Sequence, residues 1–100
     1  MRGDLNAMAQ KYSEDMARGR TGFGHSGFNQ RFNQASRMIK GFKTYAENVA
    51  YGARSAKEVV NMWKNSSGHR RNMLGNYRYI GIGAAKDRHG VVYYTQVFAN

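Results

Sequence analysis

The order of hydrophobic periods along this 100-residue chain predicts an α+β domain, with helices first and an antiparallel hairpin last. Three observations carry that expectation. Apolar residues recur at helical spacing in Leu5–Met16 and again from Ala56 to Trp63. From Tyr77 onward the period changes to two, with β-branched and aromatic residues dominating Val91–Phe98. No internal repeat, linker or low-complexity tract divides the chain, so residues 1–100 read as one domain. A chain of this size buries about 65% of its unfolded surface, enough for a modest core without covalent staples.

In chain order, Asp4 is expected to cap a first helix whose inner face is Leu5, Met8, Ala9, Tyr12 and Met16. Gly19 and Thr21-Gly22-Phe23-Gly24 end it, and His25-Ser26-Gly27-Phe28 follows as a loop. A second helix is expected over Asn29–Ile39, with Phe28, Phe32, Ala35 and Ile39 (or Met38) inward and Gly41 as its stop. Tyr45–Tyr51 reads as a short strand or extended segment ending at Gly52. Ser55-Ala56-Lys57-Glu58 has the form of a capping box and opens a third helix that closes at Asn65. Its expected inner face is Ala56, Val59, Val60, Met62 and Trp63. Ser67 is expected to cap a short fourth helix over His69–Leu74. Ile80 and Ile82 then alternate with Gly81 and Gly83, a polar turn covers Lys86–Gly90, and the last strand follows.

Composition narrows the possible chemistries. Without cysteine there are no disulfides and no thiolate metal sites, and either redox compartment is compatible with the chain. No apolar run approaches the roughly 18 residues that cross a bilayer. The opening MRGDLNAMAQ lacks the apolar core of a signal peptide, as expected of an intracellular protein or a mature domain. Sixteen Lys and Arg against six Asp and Glu give a net charge of +10, which attracts anionic polymers or lipid. The basic residues are dispersed, and no zinc-finger, basic-zipper or RNA-recognition signature accompanies them, so no specific nucleic-acid site is expected.

Four side chains stand out as candidates for a site. His25 and His69 both sit in glycine-rich, open settings, and two neutral imidazoles can ligate zinc or another divalent metal. Their separation of 44 residues carries no spacing signature of its own. Glu47 lies in an otherwise apolar segment, where a carboxylate must be paired or protonated. It would then either orient a metal-ligating histidine or act as an acid/base with a raised pKa. Glu58 is either the returning half of the capping box or a fourth member of the site. His89 falls in the hairpin turn, as a solvated loop residue would, while Asn48 and Asn72 suit turns or caps.

Taken together, four blocks carry a family resemblance. They are His25-Ser26-Gly27-Phe28, Ala46-Glu47-Asn48-Val49-Ala50-Tyr51-Gly52, the run from Glu58 through Trp63, His69 and Leu74, and Tyr94-Thr95-Gln96-Val97-Phe98. In this order and spacing, from about Leu5 to Phe98, the chain resembles the CAP superfamily of cysteine-rich secretory, antigen 5 and pathogenesis-related proteins, in its cysteine-free bacterial branch. The resemblance implies a three-layer α-β-α sandwich around a central antiparallel sheet; the chain departs from the family pattern in having less chain before the first helix than is usual. It implies a cleft carrying His25, Glu47, Glu58 and His69, in which the histidines hold a divalent metal, often zinc, and the glutamates bond to its water. It also implies secretion, and a lipid, sterol or cell-envelope ligand.

Three functions follow, in descending order. The first is a secreted binding module whose His/Glu cleft takes a divalent metal and a lipid or other small ligand. The second is a metal-dependent peptide or ester hydrolase with Glu47 or Glu58 as general base. The third, a polyanion-binding protein, explains the charge and leaves the four blocks unexplained.

Overall fold

The five positions that mark the first helical period, Leu5, Met8, Ala9, Tyr12 and Met16, are all buried. They form the inner face of α1 (Gly3–Ala17) in the computed structural model, which describes residues 2–100. Six more elements follow: α2 (Phe28–Met38), β1 (Tyr45–Tyr51), α3 (Ala56–Lys64), α4 (Ser67–Leu74), β2 (Tyr79–Lys86) and β3 (Val92–Ala99). Helices followed by antiparallel strands give the expected α+β fold.

Local chemistry differs from expectation at three helix starts. Arg2, not Asp4, occupies the cap position of α1. Asp4 lies inside the first turn, where its Oδ1 accepts from the Leu5 amide at 2.8 Å and from Arg2 Nε at 2.7 Å. The capping box of α3 is only half made: Ser55 Oγ accepts from the Glu58 amide at 3.1 Å, and the Glu58 carboxylate returns no hydrogen bond among the described residues. At α4 the helix starts at Ser67, so Ser66 takes the cap position, and its hydroxyl bonds His69 Nδ1 instead of a backbone amide.

The sheet has the order β1-β3-β2 and is antiparallel throughout. The last strand in sequence is therefore the central one. Alternation along β3 sends Val97 to one face and Tyr94 to the other. Val97 joins Leu5, Met8, Ala9, Ala35 and Ile39 in a core beneath α1 and α2. Tyr94 joins Ala50, Val59 and Trp63 in a second core beneath α3. The layers are thus helix, sheet and helix.

The two glycines of β2 decide how closely α1 lies on the sheet. A Cβ on Gly81 would stand 2.4 Å from the Leu5 carbonyl carbon, and one on Gly83 would stand 2.3 Å from the Gln10 amide nitrogen. Backbone thus rests directly on backbone, and the helix is fixed laterally. Gln10 Nε2 donates to the Ala84 carbonyl at 2.8 Å, and Asn6 Oδ1 accepts from the Ile82 amide at 2.9 Å. The free edge of β1 is closed by side chains from the opposite layer. Trp63 Nε1 donates to the Val49 carbonyl at 3.3 Å and Asn72 Nδ2 to the Glu47 carbonyl at 3.0 Å. Those bonds hang α3 and α4 on the strand edge and set the second layer in register with the first.

Candidate functional site

The candidate site forms where this sealed edge meets the loop between α1 and α2. Glu47 projects from β1 with its side chain fully buried, and four donor groups converge on its carboxylate. Arg31 grips it with two prongs, Nη2 to Oε1 at 2.9 Å and Nε to Oε2. Tyr45 donates its hydroxyl to Oε2, and His25 Nδ1 stands 3.1 Å from Oε1. Burial alone would raise the Glu47 pKa, but the hydrogen bonds from Arg31, Tyr45 and His25 outweigh it and hold the carboxyl below its ordinary value. The same burial, together with the Glu47 charge, pushes the Tyr45 hydroxyl pKa up, so it stays a donor.

Arg31 is the residue that sequence reasoning missed. Its guanidinium is stacked 3.5 Å above the Tyr12 ring and donates through Nη1 to the Ser26 carbonyl at 2.7 Å. Burial works against its charge, and the Glu47 partner more than offsets this, so its pKa is raised. Phe32, expected inward, instead sits at the rim, 37% exposed, with its ring edge-on to Phe42 and Tyr45. The helix is rotated so that arginine, not phenylalanine, faces the buried carboxylate. A signal for this existed. Arg31 lies four residues before the buried Ala35, and a carboxylate in an apolar strand calls for a cation.

His69 reaches the cleft from α4. Its Nδ1 stands 2.9 Å from Ser66 Oγ, its ring lies 6.5 Å from the Trp63 ring, and its backbone carbonyl accepts from Asn48 Nδ2 at 3.1 Å. Asn48 is fully buried and also meets Gln96 Oε1 at 3.2 Å, while Asn72 Nδ2 donates to Asn48 Oδ1 at 2.9 Å. These amides therefore lock α4 against β1; neither is a turn residue. Burial lowers the His69 pKa, and the nearby His25 charge lowers it further.

The four candidates do not all meet in the same way. His25, Glu47 and His69 gather around the β1 edge, each tied to it by the bonds above. Glu58 is exposed on the first turn of α3, held only through its backbone amide. Among the described residues, no three His, Asp or Glu side chains cluster closely enough to hold an ion by themselves. The candidate ligands that remain are the imidazoles of His25 and His69. Glu47, being ionised, can only accept, so in its neutral form His25 carries the proton on Nδ1 and leaves Nε2 with a lone pair.

The Cysteine-rich secretory protein family model matches residues 2–98, and the chain belongs to that family. It is 35% identical over 82 residues to the uncharacterized protein YkwD of Bacillus subtilis (strain 168), a match covering 79% of this chain and 32% of that protein. An extracellular SCP-domain protein of Bacillus anthracis str. Ames superposes with a TM-score of 0.78 at 25% identity, covering 97% of this chain and 32% of the other. An outer surface protein of Borrelia burgdorferi gives 0.81 at 22% identity, over 99% of this chain and 74% of the other, and shares the fold. The chain spans about a third of the length of the curated relative it matches. Among the described residues no helix is long and apolar enough to cross a membrane.

Proposed function

We propose that this domain is a binding module, working outside the cell, in which His25 and His69 hold one divalent metal ion, zinc first, beside a small ligand. The observation that carries the reading is the bond from His25 Nδ1 to the ionised Glu47, which presents Nε2 as a ligand atom. Ser66 Oγ holds the second imidazole through its Nδ1, which turns Nε2 outward, and burial favours the neutral, ligating form of His69. Two imidazoles fit a late divalent ion that completes its coordination with solvent or a ligand oxygen. When bound, the ion would supply Lewis acidity to that oxygen. The extracellular setting is supported by the likeness to an extracellular protein of Bacillus anthracis and an outer surface protein of Borrelia burgdorferi. The net charge of +10 favours anionic cell-envelope surfaces as the place where the domain works.

The hydrolase reading has less support. Glu47 has a lowered pKa and is committed to four donors, which suits an anchor and not a group that takes up a proton. Glu58 is solvent-exposed on the outer turn of α3.

Zinc titration by calorimetry tests the proposal. Wild type should bind one ion, and His25→Ala and His69→Ala should each lose more than roughly 100-fold in affinity, beyond the 10–100-fold typical of losing only an outer hydrogen-bond partner. His89→Ala, altered on the exposed hairpin turn, should bind as wild type does. Affinity should fall as pH drops, since both imidazoles must be neutral to ligate. Equal binding by wild type and the two site variants would overturn the reading.

A further inference from the structure

Five large hydrophobic side chains are exposed among the described residues, and three of them, Phe23, Tyr51 and Met62, line one pocket. The buried Val49, Ala50 and Trp63 line it as well, together with Ser66 and His69. Its volume is about 260 Å³. The Phe23 and Tyr51 rings meet edge to face at 4.8 Å, and Tyr51 stacks on Tyr93 at 5.7 Å, so the exposed rings are fixed in position. Exposed apolar groups converging on a concave site mark a place where something binds.

We propose that this pocket takes the single aryl or branched alkyl group of a small carboxylic acid, with its carboxylate directed toward the His25 and His69 imidazoles. The proposal rests on the metal-binding reading of those two histidines. Size selects the apolar part: an apolar cavity of about 150 Å³ accepts benzene, whereas drug-sized ligands occupy roughly 300–1,000 Å³. One ring and a short chain match this volume. The polar end is selected by position and charge. His69 both lines the pocket and is a candidate ligand of the ion, so a ligand seated among Tyr51 and Met62 lies in the same pocket as that imidazole. An anionic oxygen complements the divalent ion and the net positive charge of the chain.

The test uses 3-phenylpropanoate as the probe and the fluorescence of Trp63, the sole tryptophan and part of the pocket lining, as the readout. The probe is titrated into zinc-loaded and zinc-free protein, with zinc affinity measured separately by calorimetry. Saturable quenching or a spectral shift is expected, about tenfold or more tighter with zinc present. Phe23→Ala and Tyr51→Ala, both changed at exposed positions, should weaken the probe about tenfold or more and leave zinc affinity as in wild type. The alcohol 3-phenylpropanol should bind about tenfold or more weakly than the acid. Absence of a saturable Trp63 response, an equal response in the two aromatic variants, or tighter competition by palmitate would overturn the proposal. Should wild type fail to bind zinc, the metal reading falls by itself. The zinc-free titration then still decides the pocket, which stands if the two aromatic variants lose the response and falls if they keep it.

Discussion

Arg31→Leu will destabilise the domain by about 3–5 kcal/mol at neutral pH, the range expected when one partner of a buried ion pair is removed. The cost arises from what is left behind. The Glu47 carboxylate has no solvent exposure, and without the guanidinium it keeps only Tyr45 and His25 as donors. Leucine also forfeits the stacking over Tyr12 and the bond to the Ser26 carbonyl. Against a typical total stability of roughly 5–15 kcal/mol the loss is large. Arg31→Lys should recover only part of it, because an ammonium cannot span both carboxylate oxygens as the fork does. The pH dependence carries the signature. In wild type the folded pKa of Glu47 lies below its ordinary value of 4.5, so its contribution is complete above that value and is lost as pH falls through the folded one. In Arg31→Leu, burial without the cation raises the pKa, so acidification relieves the penalty. Urea midpoints measured at neutral and mildly acidic pH should therefore converge for the two proteins. A constant gap across pH would show that the pair does not operate as described.

Gly83→Ala is the second large effect. The new Cβ would stand 2.3 Å from the Gln10 amide nitrogen and 2.5 Å from its Cα, both backbone atoms inside α1. No side-chain rotation relieves that contact, so the helix must lift from β2. Overpacking of this kind costs about 1–3 kcal/mol, or roughly 5–20 °C in Tm for a domain this small. Because Ser13 Oγ bonds both the Gly83 carbonyl and Thr95 Oγ1, lifting the helix also strains a buried polar pair. The loss in Gly81→Ala and in the double variant should be less than additive, since one displacement of α1 relieves both contacts. Thermal melts of the three variants check this, and an additive double variant would argue for independent local adjustments.

Much of the fold was legible because burial leaves a periodic trace. All five predicted inner positions of α1 are buried, and the change to period two at β2 is real. What the pattern hid was which face of β2 is inward. Gly81 and Gly83 are the buried positions while Ile80 and Ile82 are half-exposed, since close approach of a helix demands the absence of a side chain. In α3, Val59 and Trp63 are buried as expected, whereas Ala56 and Met62 are exposed, so only a narrow stripe of that helix faces the second core. Within the site, His25 and Glu47 are joined by a direct bond, which their spacing of 22 residues could not disclose. Arg31 went unnoticed because helical periodicity reports apolar residues and passes over a buried cation. The sealing of β1 by Asn72 and Trp63 was equally invisible, for it depends on carbonyls that every sequence shares.

The placement of β3 in the middle of the sheet reaches beyond the folded state. β1 and β2 never pair with each other; each finds its partner only in Val92–Ala99. In a chain emerging from the ribosome, β1 and β2 therefore have no strand partner until β3 follows them. The register Tyr45↔Ala99 spans more than half the chain, a non-local closure that slows folding relative to a helical bundle of equal size. Such late closure keeps the nascent chain unfolded for longer than a local topology would.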